Sequence, residues 1–387
     1  MAGTSLSAPL QGVRVFDMTR NFAGPYATLI LTDLGADVIK VEDPARGDEG
    51  RYMPPFDSHG VSTMFAGYNR GKRSVAVDLK QEADAQRALD LAATCDVFIE
   101  NLRPGTTERL GLGFEAVRSR RRDVLYVSIS AFGGMGARGQ EPGYDAMIQA
   151  FSGLMDLTGD PEGPPSRVGT GIIDIGTGMW AALNILAFLP QVRGRQGAHI
   201  QCPMADTAAA LMIHHLTAVV HGGWQPTRTG TAQHNMAPYE SVRAADADVL
   251  VAAASQKLFH ALCTVLDAPE LIDDERFLEG ADRVANRKLL VAELERRTGG
   301  YSAEKLEALL RQAGIPGSRI RGVHEFADDP QLHAMGTWAR VPGSERELPL
   351  TPFRVDRWRP AIYDDAPALG EHTEEVFKQV EQILGGA

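Results

Sequence analysis

Short apolar runs alternate with longer amphipathic ones along this chain, and that alternation sets its fold class. Val13–Asp17 is a short apolar run, Ala23–Leu34 an apolar helix pattern opened by Gly24-Pro25, and Asp37–Val41 a second short run. A strand, a helix whose first turn tolerates proline, and another strand make a βαβ unit, which implies a parallel sheet. Ser74–Leu79, Asp96–Glu100 and Val124–Ser130 supply further strands, with a helix over Gln81–Thr94 between the first two. The repeated unit predicts an α/β fold built on a Rossmann-like, doubly wound parallel sheet.

The most apolar stretch is Val168–Leu189. Its pattern predicts a short strand ending at Asp174, a glycine turn at Gly176 and Gly178, and an apolar helix closed by Pro190. No Lys or Arg occurs between Arg167 and Arg193, so Asp174 has no sequence-local counter-charge, and burying an unpaired carboxylate is costly. Two readings stay open. Asp174 caps the helix, or it carries chemistry, and a helix N-terminus stabilises an anion in either case.

Helical pattern also covers Tyr144–Met155, followed by the Gly-Pro-rich turn at 160–165, a strand around His199–Cys202 and a helix over Ala205–Val220. A Gly- and Thr-rich break at Gly222–His234 reads as a domain boundary. Beyond it come a strand at Val249–Ala254 and helices at Lys257–Leu266, Asp282–Arg297 and Ala303–Gln312, the last capped by Ser302. Past Pro342 the prolines at 349, 352, 360 and 367 predict an extended tail needing another surface, before a last helix at Glu374–Leu384. The expected organisation is a large domain over 1–221, a smaller α/β domain over 222–330, and a return to the large domain over 331–387.

Composition narrows the function. With 387 residues and 44% hydrophobic content the chain can bury a large core, and a net charge of -11 argues against nucleic acid or an anionic membrane as partner. The basic run Arg118, Arg120, Arg121 and Arg122 reads as a solvated helix end that could also meet a phosphorylated ligand. Cys95, Cys202 and Cys263 are scattered, as reduced thiols are. The first residues lack a basic region followed by an apolar one, and no window reaches membrane-span length without a charge or proline, so cytoplasm is the expected location.

Common catalytic sets are missing. There is no G-x-S-x-G, H-E-x-x-H or G-x-x-x-x-G-K-[ST], and no metal-spaced Cys or His cluster, so no metal is expected. The turn after the first strand lacks G-x-G-x-x-G, and the match at Gly134–Gly139 runs into Gln140–Gly143 rather than a helix, so NAD is not expected. His214 and His215, adjacent on an apolar helix, point apart. Single carboxylates near strand ends remain: Asp17, Asp145, Asp174 and Asp206.

Those residues lie within a longer pattern. Gly12–Asp17 leading into Ala23-Gly24-Pro25, then Leu34–Glu42, Asn69–Ser74, Glu100–Gly105, Gly143–Gln149, the Asp174 stretch, Gly314–Gly317 and Asp329–Leu332 together resemble the family III CoA-transferases, related to alpha-methylacyl-CoA racemase. The resemblance spans nearly the whole chain in order. It implies a Rossmann-like large domain built from both chain ends, a smaller inserted domain and an interlocked homodimer. It also implies that Asp174 attacks an acyl-CoA thioester, giving a mixed anhydride and then an aspartyl-CoA thioester that a carboxylic acid acceptor resolves. Such an aspartate is expected to be ionised at neutral pH, with Gly176 and the helix start offering N–H groups to tetrahedral oxyanions.

Carried over by position, the resemblance places coenzyme A, as acyl-CoA substrate, against Arg20, Asn21, Phe22, Ala23, Lys72, Asn101, Leu102, Arg109 and Ser130. Phe132, Tyr144, Asp145 and Tyr239 would form the substrate pocket, with Met147 adding to its apolar, aromatic lining. Gly230, Gln233 and His234 would belong to a mobile cover. Without the resemblance, Lys72 and Arg109 read as surface charges and Phe22 as core. The family glutamine near the nucleophile is Phe22 here, and an adenine-side arginine is Asp43, with Arg46 or Arg51 as substitutes; both departures argue against a formate–oxalate enzyme.

The racemase branch needs a histidine where this chain has Tyr144 and a glutamate near Ser255. A free tyrosine phenol titrates near pH 10, so it is a poor proton-transfer group at neutral pH. CoA transfer is favoured; racemisation and non-catalytic binding of a CoA thioester are the alternatives.

Overall fold

Val15 and Phe16 are neighbours on the first strand, face opposite sides of a sheet, and are both wholly buried. A strand apolar on both faces belongs inside a parallel sheet covered by helices twice over. The computed structural model, which describes residues 7–356 and 358–386, has that arrangement. Strands β1 (Arg14–Met18), β2 (Asp37–Glu42), β3 (Arg73–Ala76), β4 (Val97–Glu100), β5 (Leu125–Ser130) and β6 (Ala198–Pro203) form one sheet in the order β3-β2-β1-β4-β5-β6. Every pairing in it is parallel.

On one face lie α1 (Ala23–Asp33) and, from later in the chain, the 21-residue helix Ile172–Val192. Ala27 and Leu31 of the former and Ala181, Ala182 and Ile185 of the latter share a core with Val15, Val97 and Val127. On the other face Phe16, Phe98 and Tyr126 stack with ring centroids 4.5 and 4.6 Å apart, covered by the helix Glu82–Ala93 and the C-terminal helix Thr373–Gly385. In chain order the helices after α1 and up to Gly222 are α2 (Thr63–Asn69), α3 (Glu82–Ala93), α4 (Thr106–Arg109), α5 (Phe114–Arg120), α6 (Asp145–Ser152), α7 (Leu154–Leu157), α8 (Ile172–Val192), α9 (Met204–Leu211) and α10 (Ile213–Gly222).

Contacts divide the chain into two units. The first takes in the chain up to Leu154, then Val168–Trp224, then His333 onward; the second is Met155–Arg167 with Gln225–Leu332. Both chain ends thus build the large unit. The extended tail lies on it, with Thr351 donating its N–H and hydroxyl to Asp33 of α1 at 3.2 and 2.6 Å while Arg70 pairs with the same buried carboxylate. Met155–Arg167, which the sequence pattern left within the first 221 residues, clusters with the second unit. That unit is a three-stranded antiparallel sheet, β7 (Tyr239–Arg243), β8 (Asp248–Ala252) and β9 (Gly317–Arg319), packed with helices α11 (Gln256–Val265), α12 (Gly280–Ala285), α13 (Arg287–Thr298) and α14 (Ala303–Gln312). Ser302 caps α14 by accepting the Lys305 N–H.

Three local expectations need correcting. The Asp174 stretch is neither strand nor turn: helix starts at Ile172 and runs through Gly176 and Gly178. Those glycines permit close approach instead, since a Cβ at Gly176 would meet Thr207 Cγ2 at 2.9 Å and one at Gly178 the Ala23 oxygen at 2.5 Å. The pattern over Ala205–Val220 breaks at Met212 into α9 and α10, and that over Asp282–Arg297 breaks at Asn286 into α12 and α13. By length and composition α8 is also apolar enough to cross a membrane, although it holds Asp174 and Pro190 and sets one face against the core.

Candidate active site

The strand order reverses direction between β1 and β4, and the crevice outside the carboxyl ends of strands at such a point is where open α/β sheets bind ligands. The loops leaving these two strands are tied together. Asn101, just after β4, accepts the Arg20 N–H at 2.9 Å and donates its amide to the Arg20 oxygen at 2.8 Å. Buried Lys40 donates to the Thr19 oxygen at 2.8 Å and pairs with Asp48 at 2.7 Å, and Asp48 accepts the Asn21 N–H at 3.0 Å. These ties hold Asn21 at φ 64°, in the left-handed region, and its buried Oδ1 has no hydrogen-bond partner. The chain is thereby turned so that half-buried Phe22 and buried Ala23 open α1.

Other expected contacts fare differently. Lys72 does not face a ligand: it is 2% exposed, and its ammonium lies 3.2 Å from Asp17, 2.7 Å from Thr28 Oγ1, 2.9 Å from Asn69 Oδ1 and 3.2 Å from the Pro25 oxygen. It serves as counter-ion to buried Asp17, because a buried carboxylate needs a partner and the sheet brings one from 55 positions away. Burial pushes Asp17 up, but Lys72, Lys40 and the hydroxyls of Thr19 and Thr28 more than offset it and hold the carboxyl below its usual range. Arg109 is exposed, donating to Thr106 at 2.8 Å, and Ser130, half-buried at the end of β5, accepts the Gly133 N–H at 3.0 Å. The Leu102 N–H donates at 2.7 Å to Glu100, whose carboxyl burial pushes up to about 7. Near Asp43, Arg51 is committed to Glu42 at 2.6 Å and stacks on Phe65, whereas Arg46 is exposed.

Asp174 lies in the first turn of α8, partly buried. The carboxylate that acts on it is that of Asp145, the first residue of α6 and itself buried. Asp145 Oδ2 accepts the N–H groups of Ile173 at 2.7 Å and Asp174 at 3.2 Å, while Oδ1 accepts from Gln149 Nε2 at 2.5 Å. Asp145 is therefore a helix cap supplied from another element, not the pocket wall expected of it. The rest of the helix start is spent as well, Ile172 donating to the Thr170 oxygen and Ile175 to the Gly171 oxygen, so these N–H groups are not the oxyanion donors expected there. Burial, and then the Asp145 carboxylate, push Asp174 up to about 7, where an ordinary carboxylate was expected.

Aromatic residues fall into separate groups. Phe22 packs edge-on against Tyr68 of α2 at 5.7 Å, and Tyr26 meets the same ring at 5.9 Å. Phe132 meets Phe151 at 5.1 Å with the Arg138 guanidinium over both rings, and Tyr144 is 66% exposed beside exposed Met147. In the second unit, Gln233 donates its N–H to the oxygen of Tyr239 at 2.9 Å and Gly230 donates to that of Gly159 at 3.1 Å. His234 belongs to the same loop. Ser255, near the position of the racemase glutamate, caps α11 by accepting the Leu258 N–H.

Known proteins show the same organisation. Residues 10–373 match the family described as CoA-transferase family III. The chain belongs to this family. It is 35% identical over 384 residues to succinyl-CoA:glutarate CoA-transferase of Mus musculus, covering 98% of this chain and 88% of that one. It is 36% identical over 379 residues to acetyl-CoA:oxalate CoA-transferase of Acetobacter aceti, covering 96% and 95%. A crystal structure of a CaiB/BaiF family protein from Brucella suis superposes with a TM-score of 0.88 at 34% identity, covering 97% of this chain and all of that one. CoA of an acyl-CoA is thus the substrate of this CoA-transferase, and the parallel sheet with its flanking helices is the family's.

Within this family III chain, Gln149 and Tyr68 join the site residues named from the sequence. Gln149 carried a signal, since it follows Asp145 by four positions and so shares its helix face. Tyr68 carried none. It comes to the site because α2 packs against α1, and burial followed by Tyr26 and Asp174 pushes its phenol up.

Proposed function

We propose that this enzyme moves CoA from an acyl-CoA thioester to a carboxylic acid with Asp174 as nucleophile. The carboxylate attacks the thioester carbonyl and expels CoA thiolate, leaving a mixed anhydride. The thiolate attacks the Asp174 carbonyl, the donor acid departs, and an aspartyl-CoA thioester remains. The acceptor carboxylate attacks that thioester, and thiolate then attacks the acceptor carbonyl of the new anhydride, giving a new acyl-CoA and free Asp174. The observation that carries this reading is a partly buried carboxyl in the first turn of α8, with no Lys or Arg on α1, α2, α6, α8 or α9. It titrates near neutrality, so a large fraction is ionised and unusually basic at pH 7.

Coenzyme A on this reading lies along Arg20–Ala23, Asn101, Leu102, Arg109 and Ser130, with Asn101 acting by fixing the Arg20 backbone. Dicarboxylates are the substrate class favoured by the relatives named above, with Phe132 and Tyr144 as pocket residues. The interlocked homodimer is supported by an uncovered apolar face on α8 and α10, where Trp180, Leu183, Phe188, Ile213 and Val220 are exposed.

A carboxyl titrating near 7 would also suit proton exchange at the alpha carbon, but the second group that racemisation needs is replaced by exposed Tyr144. Hydroxylamine separates the readings. With succinyl-CoA or acetyl-CoA it converts an aspartyl thioester to a hydroxamate at Asp174, whereas a racemase or a binder leaves Asp174 unmodified.

A further inference from the structure

The start of α8 poses a problem of supply. A helix N-terminus presents free N–H groups that would hold a first-turn carboxylate and lower its basicity. Gly171 precedes the helix and offers no capping side chain. Asp174 could then fold back on its own N-terminus, as first-turn aspartates do. Instead another helix inserts a second carboxylate at that point.

We propose that Asp145, clamped by Gln149, is a positioning residue that sets the reactivity of Asp174 by occupying the helix-start N–H groups that would otherwise hold the Asp174 carboxylate. Asp145 Oδ2 takes the Ile173 and Asp174 N–H groups at 2.7 and 3.2 Å. Gln149, wholly buried, fixes Oδ1 from its own helix and uses its Oε1 to accept the Val168 N–H at 2.9 Å, so one amide side chain joins α6 to the segment entering α8. The clamp denies Asp174 its backbone donors and sets a like charge beside it.

The groups facing this arrangement agree with it. Tyr68 of α2 stands within electrostatic reach of Asp174, α1 contributes Tyr26, and α9 contributes only Asp206, which is exposed. None of these elements bears a positive side chain. A carboxylate kept basic is the better nucleophile toward a thioester and the poorer leaving group from an anhydride, which favours attack of the thiolate on the Asp174 carbonyl only when CoA is held in place.

The catalytic meaning rests on Asp174 being the nucleophile; the electrostatic relation does not. It is tested by titrating the Asp174 carboxyl directly, through 13C NMR of protein labelled at the aspartate carboxyl carbon, with Asp174→Asn used to assign the signal. The expected midpoint is near 7 in the native protein. In Asp145→Ala, which frees the Ile173 and Asp174 N–H groups and removes the charge, it falls toward the ordinary carboxylate range, and the rate of hydroxamate formation at pH 8 falls several-fold. Asp145→Glu restores the raised midpoint even where its melting temperature is lower. An unchanged midpoint in Asp145→Ala overturns the proposal and leaves Asp145 a plain helix cap. Should the midpoint shift as expected while no hydroxamate ever forms on native Asp174, the electrostatic relation stands and the nucleophile reading fails.

Discussion

Gly178 of α8 and Ala23 of α1 meet so closely that a methyl group on Gly178 would lie 2.5 Å from the Ala23 carbonyl oxygen. The contact sits one turn beyond Asp174 and at the first residue of the helix that follows the Arg20–Phe22 loop. It couples the helix that carries Asp174 to the wall of the crevice. Gly178→Ala is expected to lower stability by about 1–3 kcal/mol through overpacking, outweighing the roughly 0.5–1 kcal/mol that alanine gains over glycine inside a helix. Urea unfolding measures the loss. CoA affinity, read by calorimetry on the folded variant, should fall with it, because Ala23 must move.

Lys72 offers a contrast. Replacing it by methionine removes the ion-pair partner of buried Asp17, leaving Lys40 and the Thr19 and Thr28 hydroxyls to hold its charge, and removal of one partner from a buried pair costs about 3–5 kcal/mol. Folded Lys72→Met is expected to bind CoA as tightly as the native enzyme, since its ammonium is consumed within the protein. A marked loss of affinity at a temperature where the variant is fully folded would restore the direct contact with CoA.

Asp174 makes stability depend on pH in a specific direction. Its folded carboxyl keeps the proton up to about pH 7, whereas an unfolded aspartate releases it near 3.8. Folding takes up a proton between those values, so the penalty for ionising folded Asp174 is absent below pH 4, grows through pH 4–7 and is complete above 7. Asp174→Asn is therefore expected to be inactive yet more stable at pH 8, by on the order of 2 kcal/mol after solvent screening. Melting curves at pH 8 and pH 4.5 check this. The gain should shrink at the lower pH.

The apolar face of α8 and α10 predicts association. Sedimentation equilibrium of the native chain should return twice the mass of one chain at micromolar concentration. Leu183→Glu combined with Ile213→Glu should abolish the dimer or the folded protein with it. A native chain that sediments as a monomer contradicts the interlocked assembly.

How far the sequence reaches is visible in particular residues. The β1-α1-β2 unit was legible because both strands are apolar on two faces and α1 carries its own start signal in Gly24-Pro25. Asp174 was legible as an isolated carboxylate in an apolar run. Its helix was not, because Gly176 and Gly178 have the composition of a turn and only the packing against Thr207 and Ala23 shows why a helix needs them. Lys72 reads as a surface charge for a similar reason: its partner Asp17 lies 55 positions away, on β1. The capping of α8 by Asp145 is not legible in the sequence, because a local cap stands just before its helix and this one arrives from 29 positions upstream.

On the proposed mechanism the Asp174 carboxyl exchanges an oxygen with the acceptor. In a single turnover with an acyl-CoA and an acceptor acid carrying oxygen-18 in both carboxyl oxygens, the last thiolate attack leaves the bridging acceptor oxygen on Asp174. Mass spectrometry of the digested enzyme should then show one oxygen-18 in the peptide containing Asp174, and none in that peptide from Asp174→Asn. New acyl-CoA formed at full yield with no label on Asp174 would contradict the account, because the acceptor would have reached CoA without passing through this carboxylate.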